Sequence, residues 1–321
     1  MATSDKAQVG AVTETVYGTP VVVTKFFDFT GESMMREQER MESASLRAQS
    51  RIITTDNWAL GAINVAGDVE MELRPKGHGF WWNHAIGGLV TTQPNAGPDP
   101  TVYKHTFTPN DLPLSFTLQI SKPDIANVAQ PFTYHGCRIS EWSLECGVGD
   151  FAHMTMSILG EDEDNSTGLA VASYPTANKA LTWVQGTITV AGGATDIKSV
   201  SLKAANNLAD DRYFLGRVLR SQPLENALRE VTGTFEVEFN GLTNYNRFIA
   251  GTEAAIVLLF QGLTISGIYK FETKITMNVR FDGETPKVGG PEIVPQNLPF
   301  KVVNDGTTSI KVEYQTTDVT V

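Results

Sequence analysis

Two short segments of the chain alternate strictly between apolar and acidic residues. Residues 68–73 read Asp-Val-Glu-Met-Glu-Leu, and residues 235–239 read Phe-Glu-Val-Glu-Phe. Successive side chains of a β-strand point to opposite faces of its sheet, so this pattern predicts two strands that each bury an apolar face and expose an acidic one. The exposed acidic residues are Asp68, Glu70, Glu72, Glu236 and Glu238.

Short apolar or alternating runs, separated by glycine, proline and polar residues, predict strands in most of the remaining chain. These runs are residues 102–107, 114–120, 137–146, 151–159, 181–190, 197–204, 254–260, 269–281, 298–303 and 309–316. Two short helices are predicted, at residues 76–88 with Gly87 at the end and at residues 242–250 followed by Gly251. The charged segment 31–58 is compatible with a short helix or a solvated loop. The sequence therefore predicts a mainly β protein.

The two acidic strands also have similar surroundings. They lie 166 positions apart, and each precedes a short helix with aromatic residues, an apolar strand and a long strand that opens with Tyr134 or Tyr269. This repeated order predicts an internal duplication. The acidic run that begins at residue 161 marks the boundary between the two halves. We therefore expect an N-terminal arm at 1–25, a first β domain at 26–165 and a second at 166–321.

Charge and hydropathy exclude several classes of protein. The 321-residue chain carries a formal net charge of −11, whereas proteins that hold nucleic acid through its phosphates are usually basic. The longest apolar run, residues 254–260, is far shorter than the ~20 residues of a membrane-spanning helix. Cys137 and Cys146 lie roughly 30 Å apart along one extended strand, too far to form a disulfide. We expect a protein made in a reducing cytoplasm, without a membrane partner.

The sequence contains no catalytic or metal-binding motif of familiar spacing. Its five histidines are dispersed, and for the pair His78 and His84, which bracket an aromatic run, we predict a helix-cap or surface role. The acidic residues 162–166 resemble the start of a calcium loop, but the glycine and glutamate that such a loop requires further on are missing. We therefore predict no enzymatic activity, no bound metal and no cofactor.

Two other function classes fit individual features. Glu70 and Glu72 could serve a glycoside hydrolase, although such an enzyme also needs a cleft and an acid of raised pKa. A carbohydrate-binding β-sandwich, such as an adhesin or a decoration protein, could present an aromatic platform, although packing is the usual role of such residues. The aromatic residues concerned are Trp81, Trp82, Trp142 and Trp183.

The order of several short motifs resembles the major tail tube proteins of long, non-contractile-tailed bacteriophages. The segment 14–20 (Glu-Thr-Val-Tyr-Gly-Thr-Pro) closes the arm, and the segment 66–88 joins an acidic strand to a small aromatic helix. The strands that follow open on Tyr103-Lys-His, Leu114-Ser-Phe and Tyr134-His-Gly, and a closing segment at 281–291 precedes Leu298-Pro-Phe. The resemblance covers most of the chain and is clearest in residues 8–160.

The resemblance implies a β-sandwich or partly closed barrel with short flanking helices and long loops. Subunits of that family join into rings, the rings stack into a hollow tube, and genomic DNA leaves through the bore during infection. The implied partners are further copies of the chain and the tail terminator, tape measure and distal tail proteins. The implied location is the tail of the virion, after assembly in the host cytoplasm.

A bore that conducts DNA without holding it should be acidic, because carboxylates repel phosphates whereas each basic contact holds them. We therefore expect the five acidic strand residues to line the bore. Contacts between stacked rings are expected from the arm and the long loops. The candidate residues for these contacts are Val9, Glu14, Tyr17, Arg36 and Arg40.

The predicted duplication bears on the size of the ring. Single-domain subunits in this superfamily usually form hexamers, and a duplicated chain reaches the same pseudo-sixfold ring with three copies. The sequence therefore favours a trimer. If residues 170–321 instead form a decoration domain on the outside of the tube, a hexamer is expected.

Overall fold

The computed structural model describes residues 6–48, 50–283, 285–291, 293–307 and 309–321, which form nineteen strands and two α-helices. The helices are α1 (Gly79–Ile86) and α2 (Thr243–Ala250). The strands are β1 (Gln8–Thr13), β2 (Lys25–Phe27), β3 (Gly31–Glu32), β4 (Met35–Glu42), β5 (Trp58–Glu72), β6 (Val90–Thr92), β7 (Tyr103–Phe107), β8 (Phe116–Pro123), β9 (Ala129–Gly147), β10 (His153–Gly160), β11 (Asp162–Asp164), β12 (Gly186–Val190), β13 (Gly193–Ala194), β14 (Ser199–Ala205), β15 (Glu230–Glu238), β16 (Ala254–Ser266), β17 (Tyr269–Phe281), β18 (Pro295–Val302) and β19 (Ile310–Thr316). The prediction of a mainly β fold with short helices is confirmed.

The strands form two consecutive sets with the same pattern of antiparallel pairing. In the first set, β1 pairs with β2 and β8, β8 with β9, β9 with β10 and β11, and β5 with β4 and β10. In the second set, β12 pairs with β13 and β16, β16 with β17, β17 with β18 and β19, and β15 with β14 and β18. Each pairing of the second set thus has a counterpart in the first.

One glycine occupies the same place in each set. A Cβ atom on Gly67 of β5 would lie 2.5 Å from the carbonyl oxygen of Ser33, which precedes β4. A Cβ atom on Gly233 of β15 would lie 2.7 Å from the carbonyl oxygen of Ser201 in β14. Gly67 and Gly233 are separated by the same 166 positions as the two acidic strands. In both sets the neighbouring backbone therefore leaves no room for a Cβ atom, and only glycine fits.

The two sets are joined into one sheet. The C-terminal half of β9 pairs with β14, and β19 pairs with β7 of the first set. A single hydrophobic core extends through both sets, from Val9 in β1 to Tyr314 in β19. Both cysteines are free thiols and are buried. The passage from one set to the next falls at residues 165–185, where the sequence places a domain boundary; that the two domains are separate units stays a prediction.

The segment 31–58 differs from its prediction. It contains β3 and β4, which pair with β5 in one register from Gly31 opposite Glu70 to Met35 opposite Ala66. The predicted helix is wrong, and among the described residues a loop is correct for residues 33–34, 43–48 and 50–54. The side chains of β4 are exposed except for half-buried Gln38, so no alternation of buried residues marks this strand. Hydrogen bonding to the backbone of β5 determines its conformation.

The arm of residues 1–25 contributes a strand to the sheet. Within its described part, β1 lies between β2 and β8, and Val9 and Ala11 of this strand are fully buried. Residues 1–5 lie outside the described residues. This segment is therefore tied to the first set by backbone pairing on both sides.

Both predicted helices are confirmed. Helix α1 is buried on nearly all sides, and its Trp82 contacts Trp142 of β9 edge to face, with 5.3 Å between ring centroids. It ends at Gly87, whose N–H donates to the carbonyl of Asn83 at 2.9 Å. Helix α2 lies on the surface and ends at Gly251, which has the left-handed conformation that favours glycine at this position.

The histidines of α1 are not on the surface. His78 is 1% exposed and His84 is 3% exposed, so the predicted surface role is wrong. The helix-cap alternative is correct only for the position of His78, which is the N-cap residue of α1 but makes no capping hydrogen bond through its side chain. The Nε2 atom of His84 lies 2.9 Å from the hydroxyl of Thr13. Burial, together with a nearby arginine (Arg74 for His78 and Arg138 for His84), lowers the pKa of each imidazole to about 3. Both rings are therefore neutral near pH 7.

Substitution of either close-packed glycine should destabilise the fold. Gly67→Ala and Gly233→Ala each force a methyl group against a strand backbone that cannot move aside, at a cost of about 1–3 kcal/mol. Urea unfolding followed by circular dichroism measures the free energy. Gly97→Ala is the control, because nothing lies within 4 Å of a Cβ atom there. Equal stability of all three variants would contradict the proposed close approach.

Acid should destabilise the protein through the two buried histidines. Their folded pKa values lie below the unfolded value of ~6.5, so stability is fully present above pH 6.5 and falls as the unfolded chain takes up protons. At pH 5 each ring should cost about 2 kcal/mol. His84→Gln retains a hydrogen-bonding group for Thr13 and should reduce the loss of stability between pH 7 and pH 5, measured by urea unfolding. An unchanged pH dependence would contradict this role.

Candidate functional site

All five predicted acidic residues lie on one face of the sheet. Strands β5, β10, β9, β14, β15 and β18 are neighbours in that order, and directly opposed residues share a face. One row across these strands consists of Glu70, Thr155, Ser143, Lys203, Thr232 and Lys301. Glu236 and Glu238 lie four and six positions beyond Thr232 on β15 and therefore project from the same face.

The opposite face of these strands is the core. The adjacent row contains Val69, Met156, Trp142 and Ala204, none more than 3% exposed. The acidic residues are accordingly on the solvent side. Glu70 and Glu238 are exposed, and Asp68, Glu72 and Glu236 are half-buried. Strands β5 and β15 are four strand spacings apart, or about 19 Å across the sheet, and the two acidic groups are also offset along the strands.

Three further carboxylates belong to the same surface. Glu141 and Glu145 of β9 and Glu230 of β15 occupy outward positions. We call the outward side of these six strands, between the rows of Asp68 and Glu238, the acidic face. It carries eight carboxylates and two lysines. In the sequence, Glu141 and Glu145 alternate with Trp142, Leu144 and Cys146, which are buried, and this alternation indicates that both glutamates point outward. Ser143 lies between them and makes the acidic pattern weaker than in β5 and β15.

The lysines of the acidic face are held by its carboxylates. The Nζ atom of Lys203 lies 2.8 Å from Glu141, and this hydrogen bond raises the lysine pKa. Lys301 forms an ion pair with Glu230. At the border of the face, Lys198 lies 3.1 Å from Glu238. The cations are thus already neutralised, and the remaining carboxylates give the surface a net negative charge.

The residues predicted to contact other rings have different positions. Val9 is buried in β1, and Tyr17 is half-buried in the following segment. Arg36 and Arg40 are exposed on β4, where the Nε atom of Arg36 lies 2.9 Å from Asp162. Of this group, the two arginines are therefore the most accessible in a single chain, and their contact with another ring stays a prediction.

Glu14 connects three segments of this chain through hydrogen bonds. Its carboxylate, which is 3% exposed, accepts hydrogen bonds from the hydroxyls of Ser115 at 2.5 Å and Thr117 at 2.8 Å. It also accepts hydrogen bonds from the backbone N–H groups of Gly136 at 2.9 Å and Gly18 at 3.0 Å. The buried charge is thereby satisfied. Glu14 thus fixes the end of the arm to β8 and β9.

The aromatic platform considered above is not formed. Trp81, Trp82 and Trp142 are at most 2% exposed, whereas Trp183 is 43% exposed. Three of the four indoles thus pack in the core, and they present no flat surface to a sugar ring.

Metal and membrane sites are not found in the described part of the chain. No group of three or more histidine, cysteine, aspartate or glutamate side chains is close enough to bind a metal ion there. No helix among these residues is long and apolar enough to span a bilayer. In the acidic run, the Asp164 carboxylate accepts hydrogen bonds from the hydroxyls of Thr167 and Ser166, which lower its pKa to about 2. Asp164 thus closes a local turn.

Comparison with protein families gives a match over nearly the whole chain. The model of a family described as phage tail tube protein matches residues 4–302. The match includes both strand sets up to β18 and every strand of the acidic face. No curated protein sequence matches the chain.

Proposed function

Because the chain belongs to the phage tail tube protein family, and is thus a structural protein of the virion tail, we propose that its copies close into rings that stack into the hollow tube of a long, non-contractile tail. Genomic DNA passes through the bore of this tube into the host. The observation that carries the proposal is the acidic face, which extends without interruption across both strand sets.

The acidic face lines the bore. DNA carries one phosphate charge per ~1.7 Å of duplex, so any accessible lysine or arginine on the wall would hold it by releasing counterions. The two lysines of this face are paired with Glu141 and Glu230, which leaves no net positive site among its outward positions. Asp68, Glu70, Glu72, Glu236 and Glu238 repel the phosphates from the two halves of each chain.

Three copies make one ring. Residues 26–165 and 166–321 form duplicated tail tube domains, supported by the seven matching strand pairings and by the equivalent glycines Gly67 and Gly233. A decoration domain would have its own sheet outside the tube, and a hexamer would follow. The second set instead continues the sheet of the first through β9 and β14. This continuity favours a trimer with pseudo-sixfold symmetry.

Stacking of rings uses the parts of the chain that extend from the sheet. The β4–β5 hairpin exposes Arg36 and Arg40 together with apolar Leu46 and Ile52, which suit a contact with the next ring. At the ends of the tube, the tail terminator and distal tail proteins cover the last rings, and the tape measure protein occupies the bore before DNA enters. Assembly takes place in the host cytoplasm and involves no membrane.

Purified protein should assemble without other components. We expect sedimentation to show a species of three chains and longer polymers, and averaged electron micrographs of rings to show threefold symmetry with six similar lobes. A ring of six chains would contradict the trimer and support external decoration by the second half. A protein that remains monomeric at every concentration would contradict the tube itself.

Lysine on the acidic face should make the bore retain DNA. In a Glu70→Lys/Glu236→Lys variant, each new cation adds phosphate contacts, so assembled rings should bind short duplex DNA at low salt and release it as salt rises. Electrophoretic retardation measures this binding. Asp56→Lys/Asp111→Lys is the control, because it makes the same charge change at exposed positions outside the six strands of this face. Equal binding by the two variants would exclude the acidic face as the wall of the bore.

A further inference from the structure

The strands around the β9–β14 pairing share two ends. Glu72 and His153 lie opposite each other where β5 ends and β10 begins, and Gly147 and Ser199 lie opposite each other where β9 ends and β14 begins. We call this side of the sheet the far end. Trp58, where β5 begins, lies 14 positions from Glu72, or about 46 Å along an extended strand. The side toward Trp58 is the near end.

The β4–β5 hairpin projects from the near end. β10 accompanies β5 only as far as Val65, whereas β4 continues along β5 to Trp58. The part of β5 beyond β10 is thus about 23 Å long. We call the described residues 43–48 and 50–54, which follow β4, the hairpin tip. The hairpin tip therefore lies on the side of the molecule opposite to the far end.

The hairpin tip combines exposed apolar side chains with positive charge. Leu46 is 100% exposed and Ile52 is 82% exposed. The tip contains Arg47 and Arg51 and no acidic residue. Arg47 lies 3.5 Å from Asp56, whereas the side chain of Arg51 is exposed and forms no hydrogen bond or ion pair with the described residues. A surface that buries this tip should be apolar and should carry a carboxylate.

A groove of this kind opens at the far end. It lies between the end of β9 and the strands β12 and β14, and its volume is about 380 Å³. Leu258 and Phe260, each 1% exposed, line its inner part. Three apolar residues at its mouth are 43% to 71% exposed, namely Val148, Trp183 and Val184. The groove is thus apolar both inside and at its mouth.

The groove also carries a carboxylate that has no partner among the described residues. Asp196 belongs to its lining and is exposed, and no hydrogen bond or ion pair joins its side chain to another described residue. Lys198, which also belongs to the lining, lies 3.1 Å from Glu238 and is already neutralised. The hairpin tip and the groove therefore have complementary charges, Arg51 on one and Asp196 on the other.

We propose that the hairpin tip of one copy enters this groove in a copy of the next ring. In this contact Ile52 lies between Trp183 and Val184. Arg51 lies beside Asp196. The inference rests on the stacked rings proposed above and names the surface that receives the hairpin. Rings that stack head to tail bring opposite ends of the subunit together, and the tip and the groove are at opposite ends. Both partners remove apolar surface from water, which favours the contact.

A disulfide between copies tests the contact. The Ile52→Cys/Val184→Cys variant, assembled under reducing conditions and then oxidised, should give a ladder on non-reducing gels. The ladder should continue beyond the mass of one ring, which for three copies is three times the 35.0 kDa chain, because each copy is joined to the ring above and to the ring below. A ladder that ends at the mass of one ring would overturn the placement between rings. Cys137 and Cys146 are buried and leave little background.

The matched control is Ile52→Cys/Leu228→Cys. Leu228 is 91% exposed but lies at the near end, two positions before β15 begins, so this variant should not cross-link. Cross-linking as efficient in the control would overturn the contact. Tubes that form normally in the first variant without cross-links would also overturn it and would leave the tube intact. Failure of the wild-type protein to form rings would overturn both proposals.

Charge reversal tests the same contact without cysteines. Arg51→Glu and Asp196→Arg should each retain the fold and the rings, because both side chains are exposed. Each should raise the protein concentration required for tubes about tenfold at low salt, since like charges then meet between the rings. Arg51→Glu/Asp196→Arg restores opposite charges and should recover the tubes, as measured by sedimentation and electron microscopy. Normal stacking of both single variants, or no recovery in the double variant, would overturn the proposal.

Discussion

The antiparallel pairing of β9 with β14 is the constraint on which the surface of the molecule depends. It fixes the register between the two strand sets, and a shift of one residue would turn every side chain of the second set to the opposite face. In the observed register, Glu145 lies opposite Ser201, and Leu144 lies opposite Leu202 in the core. One junction of seven residue pairs thus determines that both acidic strands face the same solvent region.

The parts of the fold that the sequence predicts are those where burial alternates. β5 and β15 have apolar residues at the two-residue spacing of a strand, so their existence and their buried faces are predictable. The helices are predictable in position because a glycine follows the last residue of each. β4 is different because both of its faces are largely exposed, and its conformation depends on a partner distant in the sequence. The histidines of α1 are misjudged for a related reason. Aromatic rings of the helix and of β8 surround His84, and a helical pattern does not show how completely a helix is enclosed.

The candidate site is predictable in part for the same reason. The Glu-x-Glu pattern marks residues 70–72 and 236–238, and their separation of 166 positions indicates a repeat. Gly67 and Gly233 have this separation too, but their significance depends on the carbonyl oxygens of Ser33 and Ser201, which only the pairing of strands brings close. Likewise, the pattern does not show that Glu141 and Glu230 neutralise the lysines beside them.

A duplicated subunit changes the energetics of closing a ring. If six equivalent junctions complete a ring, a chain with two units forms half of these junctions during its own folding. The effective concentration of one unit near the other is then set by the connection at residues 165–185 and does not depend on the concentration of free protein. Only three associations between chains then cost translational and rotational entropy. Strand β7 of the β6–β7 hairpin pairs with β19 of the second set. This second contact, besides that of β9 with β14, holds the two strand sets in one orientation.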